Sequence, residues 1–221
     1  MDLHSAAGWL LVVAYVSLVV EMVWFALPSE ASTLQVFAGD VEPSADRLGV
    51  AQRRTAIDKL VRYLVPTMIG VALFVWPLLV VLWPRLFRVA RPLVEAPRVA
   101  AVWTGLAIIL AGRMLTLAGV VQLRRRHRRG DHQLQSCGVF GLSRNPILLG
   151  MFLFYIGNCV WLPAPILWGG FLLYAWNMHA RVLMEESYLL ARLGADYRSY
   201  QARVPRYVGM PRARAEQHEE S

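Results

Sequence analysis

The sequence is poor in charge and nearly lacks lysine. Only 17% of its 221 residues are charged and 57% are hydrophobic, against about 25% and about 45–50% in soluble domains. Lys59 is the one lysine, so 22 of the 23 basic residues are arginine. Cysteine is scarce too. Cys137 and Cys159, the second inside an apolar run, make neither a disulfide framework nor a C-x-x-C metal site. No G-x-G-x-x-G follows a candidate strand, which leaves no Rossmann-type dinucleotide loop. What remains is the composition of a polytopic membrane protein, all-α in class.

Five apolar runs approach the roughly 20 residues that cross a bilayer. They cover Ala7–Leu27, Tyr63–Trp83, Val99–Leu123, Pro146–Leu162 and Ala164–Ala180. The first lacks the basic start of a signal peptide and exceeds its usual apolar length, so it reads as a retained span. The last two are joined by Trp161-Leu162-Pro163-Ala164-Pro165, a tight turn expected at the interface, and form a helical hairpin. The expected architecture is a bundle of about five transmembrane helices with a C-terminal cytoplasmic or interfacial helix. It divides into N-terminal spans (1–130), a site-bearing hairpin with its C-terminal helix (131–207) and a polar, disordered tail (208–221).

The net charge of +8 invites a nucleic-acid reading, but membrane topology accounts for it. With the C-terminus inside, 18 of the 23 basic residues flank the cytoplasmic ends of the spans, as expected of Lys and Arg. The segment 84–98 carries four arginines on the opposite side, which fits either a segment lying on the headgroups or a span count that is off by one. The run Arg124-Arg125-Arg126-His127-Arg128-Arg129 is an anionic-lipid anchor. The partners implied are the bilayer and a lipid-like or small-molecule acceptor, with no nucleic acid and no protein partner.

Two charges interrupt the spans. Glu21 and Arg113 differ in depth by only about 6 Å at about 1.5 Å per residue. Buried ionisable groups in lipid are expensive and usually paired, so a Glu21–Arg113 contact is expected.

Polar residues crowd the inner ends of the hairpin. Asn145 and Pro146 suit the N-cap and N1 positions of the fourth span. The helix dipole and Arg144 then suit a carboxylate or phosphate. At the exit, Asn177, Arg181 and Glu185 stack at i, i+4 and i+8. An Arg181–Glu185 ion pair would leave Glu186 the freer carboxylate. Leu189, Leu193, Tyr197, Tyr200 and Val204 follow on one helical face, with Gly194 as an interruption.

The order of these residues is more specific than any one of them. His132-Gln133-Leu134, Gly138-Val139-Phe140, Arg144-Asn145-Pro146 with Gly150, Glu185-Glu186, Leu193-Gly194, Tyr197, Tyr200 and Arg203-Val204-Pro205-Arg206 form one series over about the last third of the chain. It resembles the superfamily of isoprenylcysteine carboxyl methyltransferases and phospholipid methyltransferases. Their series runs H-x-L, G-x-Y, R-H-P-x-Y-x-G, E-E, F-G-x-x-Y-x-x-Y and V-x-R. Asn145, Leu148 and Phe140 depart from it, standing for a histidine and two tyrosines.

The resemblance implies an integral membrane methyltransferase with S-adenosylmethionine bound at the cytoplasmic face. It implies that His132, Leu134, Arg144, Asn145, Pro146, Gly150, Glu185 and Glu186 enclose the cofactor. Glu186 is the candidate general base for a protonated acceptor. Arg203 and Arg206 are the candidates for an acceptor's negative charge. Amine, thiol and carboxylate acceptors all fit the sequence. The alternatives are an NADPH-dependent membrane reductase of related architecture and a non-catalytic scaffold.

Overall fold

The computed structural model describes residues 6–26, 65–83, 99–128 and 136–209. His132, Leu134, segment 84–98 and nearly all of the 208–221 tail lie outside the described residues. Seven helices and no strand occur among those described. They are α1 (Ala6–Ala26), α2 (Val65–Leu82), α3 (Val99–Arg128), α4 (Val139–Leu142), α5 (Pro146–Trp161), α6 (Pro165–Leu193) and α7 (Ala195–Arg203).

One helix among the described residues is long and apolar enough to cross a membrane. It is α3, over the 27 residues Val99–Arg125. Shorter apolar stretches occupy Ala6–Glu21, Met68–Leu82 and Pro146–Trp161. Two helices outrun their apolar segments. The basic run continues α3 to Arg128, and α6 continues to Leu193 over 29 residues, about 43 Å. Trp9, Val13, Val16, Trp103, Met114, Leu172 and Trp176 turn outward, so the bundle presents an apolar exterior.

The tightest packing joins α3 to α5. Gly105, Gly112 and Gly119 recur every seven residues on α3; Gly150 and Gly157 do so on α5. A methyl carbon at Gly112 would stand 2.5 Å from Gly150 O, and one at Gly105 would stand 2.7 Å from Gly157 O. At Gly119 it would meet Ile147 at 2.7 Å. Numbers rise along α3 as they fall along α5, so the pair is antiparallel. Membrane helices associate through such close contacts because lipid supplies no hydrophobic drive between them.

This approach also seats the hairpin turn. Trp161, Leu162 and Ala164 are buried in the core. Gly105 admits the Trp161 main chain to α3, and the turn closes through Leu162 N–H to Asn158 O (2.9 Å) and Ala164 N–H to Leu162 O (2.8 Å).

Most polar groups inside the bundle are paired, although Arg113 Nη1, Asn158 Oδ1 and Trp161 Nε1 are buried without a hydrogen-bond partner. Arg113 donates from Nη2 to Glu21 Oε2 (2.6 Å) and from Nε to Ser17 Oγ (3.1 Å). The contact expected from depth alone therefore forms, with both residues buried. A second knot gathers Tyr15, Phe74, Phe154 and Tyr155. Tyr15 Oη donates to Phe74 O, and Asn158 Nδ2 donates to Tyr15 Oη (2.7 Å). Pro77, inside α2, removes the donor that Leu73 O would have accepted, which loosens the helix beside this carbonyl. One hydrophobic core runs from α1 through α2 and α3 to the hairpin.

Two outcomes follow. Gly112→Ala is expected to cost about 1–3 kcal/mol through overpacking. The reactivity of buried Cys159 during thermal unfolding in a Cys137→Ser background measures it; an unchanged transition would refute the backbone contact. Glu21→Ala and Arg113→Ala are each expected to cost about 3–5 kcal/mol, as the breaking of a buried pair does. The double variant should lose less than the sum, and full additivity would count against the pairing.

Candidate functional site

The hairpin brings the start of α5 next to the long C-terminal extension of α6, and the segment after α7 crosses both. At the centre is Glu186, buried with 6% of its surface exposed. The buried residues of α6 include Asn177, Val182 and Glu186. That face carries Glu186 inward, while Glu185, one residue earlier and about 100° round the helix, is exposed.

Two arginines hold Glu186. Arg206 grips it bidentately, Nε to Oε1 at 3.0 Å and Nη2 to Oε2 at 2.8 Å. Arg144 Nη1 stands 3.1 Å from Oε1. That contact is an ion pair without hydrogen-bond alignment, so Arg144 Nε and Nη1 remain buried donors without a hydrogen-bond acceptor. Glu186 is thus the clamped carboxylate, contrary to its expected freedom. The reason is tertiary: both arginines come from segments distant in sequence. The Glu186 hydrogen bond holds the Arg206 guanidinium above its ordinary pKa. Burial raises the Tyr197 phenol, which the neighbouring Arg144 charge partly offsets.

Local sequence explains the frame. Gly138, at φ +62°, turns the chain into α4 and leaves no room for a side chain beside Gln122. Gln122 bonds both sides of that turn, donating to Cys137 O (2.7 Å) and accepting from Val139 N–H (3.2 Å). Gly194, at φ +55°, ends α6 and starts α7. Beyond it Tyr197, Tyr200 and Val204 pack with Leu189, Leu190 and Leu193, the face expected from their spacing. Tyr200 Oη donates to Phe140 O (2.8 Å), tying α7 to α4.

The remaining expected residues divide. Pro146 is N1 of α5 and buried. Asn145 occupies the N-cap position, but its side chain makes no capping bond; Nδ2 donates instead to Arg206 O (3.3 Å). Gly150 faces α3, against Gly112 and Thr116. Arg203 is exposed and bonds Ser199 O within its own helix (3.2 Å), so it does not join the cluster as Arg206 does.

Sequence reasoning missed Gln122, Ser143 and Tyr207. Ser143 is buried and donates to Arg206 O (3.1 Å). Tyr207 packs on Phe152 and shares a 2.9 Å hydrogen bond with His179 Nδ1. Nothing in their spacing marks them. The seven-residue glycine repeats were the one readable signal passed over.

Comparison with known proteins supports the resemblance read from the motifs. The chain is 35% identical over 100 residues to protein-S-isoprenylcysteine O-methyltransferase B of Arabidopsis thaliana, covering 45% of this chain and 48% of that protein. It is 34% identical over 85 residues to protein-S-isoprenylcysteine O-methyltransferase of Saccharomyces cerevisiae, covering 38% and 35%. With the Tribolium castaneum protein of the same name the figure is 29% over 108 residues, covering 45% and 38%. The matches span about half, or less, of these relatives' length. No family profile matches the chain, and no solved structure matches it.

Glu186→Gln removes the charge that two arginines share and is expected to cost about 3 kcal/mol of stability. Arg203→Ala, at an exposed site, should stay within about 0.5 kcal/mol. Denaturation of the two variants side by side measures the contrast; equal effects would contradict the central place of Glu186.

Proposed function

We propose that this chain is a multi-pass membrane methyltransferase that uses S-adenosylmethionine to methylate a carboxylate on a lipid-like acceptor. The observation that carries the reading is the meeting of Arg144, Glu186 and Arg206, three members of the ordered motif series, where the inner ends of the hairpin join. The relatives bear the name of O-methyltransferases acting on isoprenylcysteine.

The site's chemistry fits the cofactor. Arg144 has buried N–H groups without a hydrogen-bond acceptor beside the start of α5, whose first turn has no side-chain cap. A carboxylate answers both the arginine and the positive end of the helix. Arg144 and the first turn of α5 would hold that end of S-adenosylmethionine. When bound, the cofactor supplies an electrophilic methyl group on sulfur.

The charge of the cluster selects among acceptors. Arg144, Arg206 and Glu186 together carry one net positive charge, which favours an anionic acceptor over an amine. A carboxylate arrives deprotonated at neutral pH and needs no base. Glu186 therefore aligns the two arginines instead of removing a proton, and Arg206, the more exposed of them, meets the acceptor. The work left to the protein is alignment, which supplies much of a displacement's acceleration.

The bilayer completes the reading. The outward apolar side chains of α1, α3 and α6 suit lipid contact, and the arginine-rich ends favour the cytoplasmic face for the site. An acceptor with a hydrocarbon tail reaches it from the inner leaflet.

Purified protein in lipid nanodiscs, with methyl-labelled cofactor and either a farnesylated cysteine or an ethanolamine lipid, tests this. Base-labile label on the cysteine carboxylate is expected. Label on the amine alone would overturn the acceptor class. No cofactor binding by calorimetry at millimolar concentration would overturn the methyltransferase reading.

A further inference from the structure

Arg206 lies beyond α7 in the irregular stretch Val204–Gly209. A long side chain on irregular backbone loses much rotamer freedom when held in one geometry, so its main chain needs an anchor. That anchor is the turn between α4 and α5. Ser143 Oγ donates to Arg206 O at 3.1 Å, and Asn145 Nδ2 donates to the same oxygen at 3.3 Å. Arg144 N–H donates to Pro205 O at 2.9 Å. Ser143 Oγ also accepts from Asn145 N–H at 3.1 Å, so the buried hydroxyl is used as donor and as acceptor. Ser143 is 2% exposed, and its φ of −146° and ψ of 143° present an extended strip to the crossing segment. Two stretches about 60 residues apart are laced by a hydroxyl, an amide and a main-chain donor, all converging on the carbonyls beside the Glu186 clamp.

We propose that Ser143 and Asn145 are positioning residues for Arg206: by holding its carbonyl they aim its guanidinium at Glu186 and at the acceptor's carboxylate, and so set acceptor affinity. This rests on the methyltransferase reading above. It gives Asn145 work on the protein's own main chain in place of the expected contact with the cofactor. Neither residue touches the reacting atoms. Both act through Arg206, and the effect of losing them must therefore depend on Arg206 being present.

The test compares the full chain in nanodiscs with Ser143→Ala, Ser143→Thr, Arg206→Ala and the Ser143→Ala/Arg206→Ala double variant. Ser143→Ala is expected to raise the acceptor KM about three- to tenfold, the worth of one ordinary hydrogen bond. Its kcat and cofactor affinity should stay within about twofold. Ser143→Thr, which keeps the hydroxyl, should recover the wild-type KM, and Ser143→Ala should add nothing in the Arg206→Ala background. An unchanged KM in Ser143→Ala, or full additivity in the double variant, would overturn the proposal. If Ser143→Ala does not accumulate, Asn145→Ala is carried through the same cycle, read by the rise in acceptor KM and by its disappearance in the Arg206→Ala background. If the wild-type protein transfers no methyl group, the functional reading fails by itself. Positioning is then judged by hydrogen exchange at the Arg144 amide: about tenfold faster exchange in Ser143→Ala supports it, and unchanged exchange overturns it.

Discussion

The structure depends on how closely α5 approaches α3. Five glycines remove the side chains that would otherwise keep the two backbones apart, and the contact runs nearly the whole length of α5. Everything near the site is referred to this helix pair. The start of α5 fixes Arg144, its far end turns through buried Trp161 into α6, and α6 returns Glu186 to the starting level. A looser pair would shift the two ends of the hairpin independently and separate the charges that meet there.

Charge inside the bundle is handled in two ways. Glu21 and Arg113 pair within apolar surroundings, where an unpaired ion is prohibitively costly. The Glu186 cluster lies past the apolar segments and holds two arginines to one carboxylate. Its surplus of one positive charge is tolerable because Arg206 reaches solvent, with 34% of its side chain exposed. Both arrangements keep an unused buried donor, Nη1 of Arg113 in the first and Nε and Nη1 of Arg144 in the second. They differ in access: Glu21 and Arg113 are both buried, whereas Arg206 opens the second cluster to a ligand.

Much of the fold was legible along the chain. Apolar run length placed α1, α2 and α5 to within about two residues and the starts of α3 and α6, because helices in an apolar phase must keep their backbone bonds internal; it missed the polar extensions of α3 to Arg128 and of α6 to Leu193. Comparable depth paired Glu21 with Arg113, and helical spacing assembled Leu189, Leu193, Tyr197, Tyr200 and Val204. The site was legible as a set of residues but not as an arrangement. Glu185 and Glu186 are chemically identical neighbours, and only the face that α6 turns toward Arg144 and Arg206 distinguishes them. Asn145 has the identity of a cap, yet an acceptor at Arg206 O claims its amide. Gly150 belongs to the motif series, and it packs against Thr116.

Residues read in order settle the helical class, the apolar spans, the starts of the hairpin helices and the motif series on which the resemblance rests. Those follow from local composition and from periods of three to four residues, which act within one helix. Only the tertiary structure decided which carboxylate is clamped, which arginine clamps it and which side chains hold that arginine's backbone. Those partners lie about 20 to 60 residues apart in sequence. Their meeting depends on a helix contact a few ångströms wide and on the direction in which each helix turns its buried face.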